Sequence, residues 1–235
     1  MRHAVYFAPD AAHPLTRMAA AWLGRDAFAD AAIAPPHVAG FAAADLKALT
    51  AEPARYGFHG TLVAPFHLAA GRTAGDLDRA AGAFAASHAA FAIPRLAIRR
   101  IGHFFALVPA DTLPAMDALA ADAVDHLAPL RAPLSDADIA RRNPERLTER
   151  QRAYLLRYGY PYVREEFRFH MTLTGPVANA DAPRVAAALD TIFAPLIAAP
   201  VAVDSIAVFA EPERGGPFVV RALHPLAAAE TRKSA

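Results

Sequence analysis

Two stretches of this chain set a histidine two residues ahead of a threonine and flank the pair in the same way. The first is Gly57-Phe58-His59-Gly60-Thr61-Leu62 and the second is Phe167-Arg168-Phe169-His170-Met171-Thr172-Leu173-Thr174. Both contain Phe-His-x-Thr-Leu, and in both a period of two runs through the segment, as in a strand with one buried and one open face. In the second copy Phe167, Phe169, Met171 and Leu173 fall on one side, and Arg168, His170, Thr172 and Thr174 on the other. Each strand therefore presents an imidazole beside a hydroxyl. An imidazole titrates near ~6.5 and can act as base or acid at neutral pH. A threonine hydroxyl can donate to an oxygen on which negative charge is building. Two such pairs facing one cleft would surround a small anion. Cleaving a phosphodiester takes two proton transfers, one from the attacking hydroxyl and one to the leaving oxygen, and two imidazoles can share them. A cyclic phosphate suits the scheme best, because its ring holds the leaving oxygen in place. The scheme calls for no metal and no cofactor.

Competing chemistries find less support. A single histidine on a strand is most often a packing or surface residue, but a repeated motif argues against that here. Two histidines without a carboxylate or a third histidine nearby give too few ligands for a metal site. The chain has no Gly-x-Ser-x-Gly elbow, no Walker loop and no dinucleotide fingerprint. His67 and His103 lack a repeat partner and read as surface or structural. Around the quartet His59, Thr61, His170 and Thr172, the first choice for a further phosphate contact is Arg168, on the open face with His170. Tyr56, Tyr160 and Tyr162 could form an aromatic rim that stacks on a sugar or base.

These residues need elements to hold them. The pattern predicts a strand over 3–8, a helix over 14–23, a loop at 34–40, a turn of helix over 43–49 and the first motif strand over 55–66, broken by Pro65. A helix over 73–88 opens on a capping box at Thr73, and two strands follow at 92–100 and 103–108. A helix over 113–127 leads into a polar segment, 135–157, rich in both arginine and acid. The second motif strand, a helix over 181–196 and strands at 200–210 and 217–223 complete the chain. The order motif strand, helix, strand, turn, strand thus occurs twice, with His59 and His170 about half the chain apart. We read an internal duplication: a single bilobal α+β domain, 1–235, with two mainly antiparallel sheets lining a central cleft and helices outside. One lobe is built around 57–63 and the other around 167–174. Residues 135–165 read as a lid or insert, either a solvated helix or an arm whose arginines reach a second phosphate. Residues 227–235 read as a flexible tail.

Bulk properties narrow the partners. The chain has 235 residues, 55% of them hydrophobic and 20% charged, with no cysteine and a formal net charge of +1. Its mean hydropathy is +0.19. Thiolate and disulfide chemistry are excluded. A near-neutral balance makes an extended nucleic acid an unlikely partner, yet permits a local anion pocket. No long apolar run predicts a membrane span and no leader pattern is evident, so a soluble cytoplasmic protein acting on a small phosphorylated metabolite is expected. Nothing in the sequence speaks to oligomeric state.

The paired His-x-Thr strands in a duplicated α+β chain resemble the 2H phosphoesterase superfamily. Arg55-Tyr56-Gly57-Phe58-His59-Gly60-Thr61-Leu62 and Tyr160-Pro161-Tyr162, followed by Glu166-Phe167-Arg168-Phe169-His170-Met171-Thr172-Leu173, are similar to its branch associated with phosphonate-degradation genes, the DUF1045 group. The resemblance spans most of the chain. It implies a bilobal sheet-lined cleft, a metal-independent cyclic phosphodiesterase, and His59, Thr61, His170 and Thr172 as its catalytic quartet. By association with phosphonate breakdown it points to a phosphorylated sugar cyclic phosphate as substrate. The alternatives are an RNA 2′,3′-cyclic phosphate end-processing enzyme and a non-catalytic binder of a phosphorylated metabolite.

Overall fold

A computed structural model describes residues 1–228. In chain order its strands are β1 (Arg2–Phe7), β2 (Arg25–Asp26), β3 (Ala31–Ala32), β4 (Gly60–Phe66), β5 (Phe91–Ile93), β6 (Leu96–Ile101), β7 (Phe104–Pro109), β8 (Met171–Thr172), β9 (Val201–Val203), β10 (Ser205–Glu211) and β11 (Val219–Pro225). The helices are α1 (Pro14–Leu23), α2 (Ala43–Tyr56), α3 (Ala74–Ala86), α4 (Pro114–His126), α5 (Asp136–Ala140), α6 (Glu149–Tyr158) and α7 (Ala182–Ile197). Local chemistry explains their limits. Helix α1 starts where the His13 ring accepts from the Leu15 N–H and Pro14 occupies the first turn, and it stops at Gly24, with φ of 74°. The Thr73–Asp76 capping box opens α3, as the sequence predicts.

The class is α+β with antiparallel pairing throughout the main sheet, whose strand order is β11-β10-β1-β4-β8-β7-β6. Two sheets were expected, but the half carrying β4 and the half carrying β8 are hydrogen-bonded into one. The junction is narrow: Gly60 pairs with Met171 on one side and with Phe7 on the other. The halves of the sheet also exchange hairpins. After β4 the chain crosses to make β7, beside β8, and β6 at the edge beyond it, and after β8 it returns to make β10, beside β1, and β11 beyond that. β8 therefore sits between two strands from the first half of the sequence, β4 and β7, while β1 lies between β4 and β10, a strand from the second half.

One face of the sheet carries the main core. It joins Val5 and Phe7 of β1 to Leu15 and Trp22 of α1, Leu77 and Phe84 of α3, Met116 and Leu119 of α4, and Leu189 and Phe193 of α7. The opposite face of β1 carries a smaller cluster of Ala4, Tyr6 and Ala8 with Phe209 and Phe218. Both faces of β1 are thus buried, which accounts for its nearly unbroken apolar sequence.

Several expected boundaries shift. Arg55 and Tyr56 belong to α2, which runs through Pro53 and ends at Gly57, with φ of 74°. The strand itself starts at Gly60 and is not broken by Pro65. An extra residue between the Val5–Val63 and His3–Phe66 pairs forms an irregularity there that tolerates the missing proline N–H. Of the second motif only Met171 and Thr172 join the ladder, because Phe169 turns over Gly60 just upstream. Thr174 is not on the open face. Its hydroxyl accepts from the Phe105 N–H at 2.9 Å and donates to the Gly175 carbonyl at 2.8 Å, and the residue is buried. Of the expected tail, Ala227 is held by Ala90, whose N–H donates to its carbonyl at 2.7 Å. The part from residue 229 on lies outside the described residues. Among the described residues no helix is long and apolar enough to cross a membrane.

Candidate active site

Along β4 and the residues before it, His59 and Thr61 lie on the face of the sheet that bears the small Tyr6 cluster, away from the main core. Next to them His170 and Thr172 emerge at the start of β8. Both pairs line one cleft of about 730 Å³, a size suited to a nucleotide or sugar phosphate. Tyr56, Tyr160, Tyr162 and Arg168 line the same cleft, so all of the candidate residues come together. His103 lies at its edge as well.

The two imidazoles are held alike. His59 Nδ1 is 2.9 Å from the Gly57 carbonyl, and His170 Nδ1 is 2.7 Å from the Arg168 carbonyl. A carbonyl can only accept, so each Nδ1 carries its proton and donates it. That leaves Nε2 of each ring as the nitrogen free to exchange protons. The Thr61 hydroxyl donates to His59 Nε2 at 3.2 Å. The carbonyl two residues before each histidine is thus part of the motif, and at the first copy its placement depends on the left-handed turn at Gly57. A Cβ there would stand 2.5 Å from Ala27 Cβ, so the position also needs glycine for space.

The surroundings of the two rings differ. His59 lies flat on Tyr6, with ring centres 3.8 Å apart and planes at 23°, and Phe209 and Tyr56 close its sides at 6.2 and 6.1 Å. This burial pushes its pKa down from the usual histidine value to about 4. The bond to Gly57 opposes the shift, and the charge of His170 adds to it. That His59 feels the charge of His170 follows from their facing a common cleft. Among the described residues His170 has one aromatic neighbour, Phe104, at 5.7 Å.

Arg168 is exposed, and its guanidinium folds back on its own chain, donating to the carbonyls of Phe167 at 2.7 Å and Glu165 at 3.1 Å. Tyr160 and Tyr162 meet edge to face at 5.5 Å, and Tyr162 remains 45% exposed at the mouth. Glu166 ties the second motif to the insert by accepting from Arg150 at 2.8 Å and Gln151 at 2.9 Å on α6.

Sequence reasoning missed Tyr6, Phe104 and the role of Gly60. Tyr6 had a signal: in β1 it alternates with Val5 and Phe7 onto the face that carries His59. Gly60 had none beyond its identity. A Cβ on Gly60 would lie 2.3 Å from Cε2 of Phe169, so the two motif strands approach one another only because this residue has no side chain.

The family described as "Protein of unknown function (DUF1045)" matches residues 61–219, and the chain belongs to that family. Among individual proteins, it is 37% identical over 222 residues to the ribose 1,5-bisphosphate phosphokinase PhnN of Janthinobacterium sp. (strain Marseille). It is 36% identical over 226 residues to the protein of the same name from Laribacter hongkongensis (strain HLHK9). Each match takes in 93% of this chain but only 49% and 50% of the relatives, so the chain spans about half the length of these curated relatives. Among solved structures, a phosphoesterase matches with a TM-score of 0.44 at 13% identity, covering 96% of this chain and 98% of the other. E. coli LigT complexed with NADP+ matches with a TM-score of 0.41 at 14% identity, covering 96% and 97%.

Proposed function

We propose that this protein is a phosphodiesterase that opens a small cyclic phosphate by histidine acid–base catalysis. The observation that carries the reading is the common cleft, in which two imidazoles, each fixed through Nδ1, stand beside two threonines. Water attacks phosphorus while one Nε2 takes its proton. The ring P–O bond breaks, and the other imidazole, protonated at Nε2, gives its proton to the departing alkoxide oxygen. The product is a phosphomonoester with a free neighbouring hydroxyl. His59 is assigned as the base, because it is neutral at working pH and an entering phosphate would restore its basicity. His170 is then the acid, and Thr172, with Thr61 once its hydroxyl swings from His59 Nε2 to the entering phosphate, donates to the non-bridging oxygens.

The relatives' name supplies a candidate substrate. Their named activity is a kinase acting on ribose 1,5-bisphosphate, yet this chain has no Walker loop and its few lysines include none beside a glycine. A half that is not the kinase would sensibly make the kinase's substrate. Opening a ribose 1,2-cyclic phosphate that bears a 5-phosphate would yield ribose 1,5-bisphosphate. A second reading, a nucleoside 2′,3′-cyclic phosphate at an RNA end, is favoured by the tyrosines at the mouth, which could stack on a base. Purified protein assayed with a chelator present, on sugar and nucleoside cyclic phosphates, separates these. His59→Gln and His170→Ala should each lower kcat by about 10²–10⁴-fold. Undiminished turnover in both variants would remove the histidines from the mechanism.

A further inference from the structure

A second cavity of about 650 Å³ adjoins the cleft, with Tyr56 and Tyr160 lining both. It lies farther along β4, where Val63, Pro65 and His67 line it, and it is closed by α6 and the insert. Its wall is strongly basic. Arg2 and Arg55 are committed to the buried Glu211, and Arg141 to Asp138. Arg131, Arg142, Arg157 and Arg214 also line it and form no ion pair among the described residues. Arg142 only covers the ring of Tyr160, and Arg157 that of Tyr158.

Arg131 is the most telling. Its backbone bridges to Leu68, and the Ala132 N–H donates to the His67 carbonyl at 2.8 Å, so it is anchored to the end of the strand that carries the first motif. Its guanidinium makes no hydrogen bond within the described chain, and its Nε is sealed from solvent without a partner. Burial lowers its pKa, and Asp125 acts in the other direction, but Asp125 is already bound by Arg164. Gly159, whose φ of 75° suits glycine, lies beside the Arg131 guanidinium. A half-buried cation with no anion destabilises a fold.

We propose that this cavity binds a phosphomonoester dianion, with Arg131 at its base and Arg142 and Arg157 closing over it. The dianion is either a second phosphate carried by the molecule in the cleft, a form that rests on the cyclic phosphodiesterase reading, or a separate phosphorylated ligand. Planar guanidinium groups suit a phosphate, and the shared tyrosine wall sets the two sites side by side.

Isothermal titration with inorganic phosphate and with ribose 5-phosphate tests the cavity without any turnover. We expect both to bind wild type and His170→Ala alike, and Arg131→Gln to weaken binding by about tenfold or more. Arg131→Gln should be no less stable than wild type in urea. Arg142→Gln, at the rim, is the second variant and should also weaken binding. Binding that is unchanged in both arginine variants, or lost in His170→Ala alone, would overturn the proposal. The source is read from kinetics. If the cleft's substrate reaches across, Arg142→Gln raises KM for a cyclic phosphate bearing a second phosphate and leaves that for a nucleoside 2′,3′-cyclic phosphate unchanged. If the ligand is separate, neither KM moves while phosphate binding still falls. If wild type turns over neither compound, the reading of the cleft fails, and the titration still decides the cavity.

Discussion

Replacing His59 with glutamine should remove part of the protein's acid sensitivity. In the fold the His59 imidazole titrates at about 4, against 6.5 in an open chain, because it is pressed onto Tyr6 and away from water. The unfolded chain therefore takes up a proton that the folded chain refuses. The sign follows: this stability is complete above about pH 6.5, is lost as pH falls toward about 4, and is constant below that. The full difference in proton affinity is roughly 300-fold, a ceiling of about 3 kcal/mol. By about pH 5 some 2 kcal/mol of it would be gone, and because the ring opens on the cleft at one edge we expect about 1–2 kcal/mol. Glu211, with its own lowered pKa, acts only below its ordinary value of 4.5, and His3 contributes equally to both proteins. The assay is urea unfolding at about pH 7.5 and about pH 5, followed by the fluorescence of Trp22, the single tryptophan. Wild type should lose about 1–2 kcal/mol more than His59→Gln between the two conditions. Equal losses would show that His59 is an ordinary solvated histidine, and its assignment as a neutral base would go with that.

Three further outcomes follow from the packing. Gly60→Ala places a methyl group 2.3–2.5 Å from the Phe169 ring; the ring, next to His170, must move by about 1 Å, which should cost about 1–3 kcal/mol in thermal unfolding and roughly 10²-fold in activity. Burial alone would push the Glu211 carboxyl up, but hydrogen bonds from Arg2, Arg55 and the Gly215 N–H hold it down to about 2. Glu211→Gln should therefore cost about 3–5 kcal/mol near neutral pH, with the wild-type advantage fading from about pH 4.5 to about 2 in pH-dependent melts. Because the half-sheets exchange hairpins, far-UV circular dichroism and Trp22 fluorescence should trace one urea transition, and two separated midpoints would contradict a single cooperative unit.

The parts of this fold that could be read from sequence are those where local chemistry and tertiary contacts agree. The Thr73 box, Gly24 after α1 and the period-two motifs each state a local preference that packing leaves in place. The errors arise where packing overrides a local signal. Pro65 looked like a break, but it falls at a strand irregularity. Thr174 continued the alternation yet turned inward, because Phe105 needs an acceptor for its N–H. The histidines and threonines were legible as a site because a repeated pattern carries information that one copy does not. Tyr6 and Arg131 were not, since Tyr6 meets His59 and Arg131 its cavity through a strand pairing or a bridge that joins distant parts of the chain.

The distribution of charge ties these observations together. A net charge of +1 gives the chain no large basic excess, yet four arginines without an ion pair among the described residues, Arg131, Arg142, Arg157 and Arg214, line one cavity. The adjoining cleft is walled largely by aromatic and aliphatic groups, where water screens a charge less and each imidazole or hydroxyl acts more strongly on a nearby phosphate. A polymer with many phosphates would gain little from such an arrangement, because most of its charges would find no partner. On the proposed reading, a compact molecule with two phosphoryl groups would gain at both places, so affinity should come from a few close contacts and depend only weakly on salt. On the proposed dianion site, a half-buried, unpaired Arg131 has a use: a small dianion would relieve the cost of burying its charge.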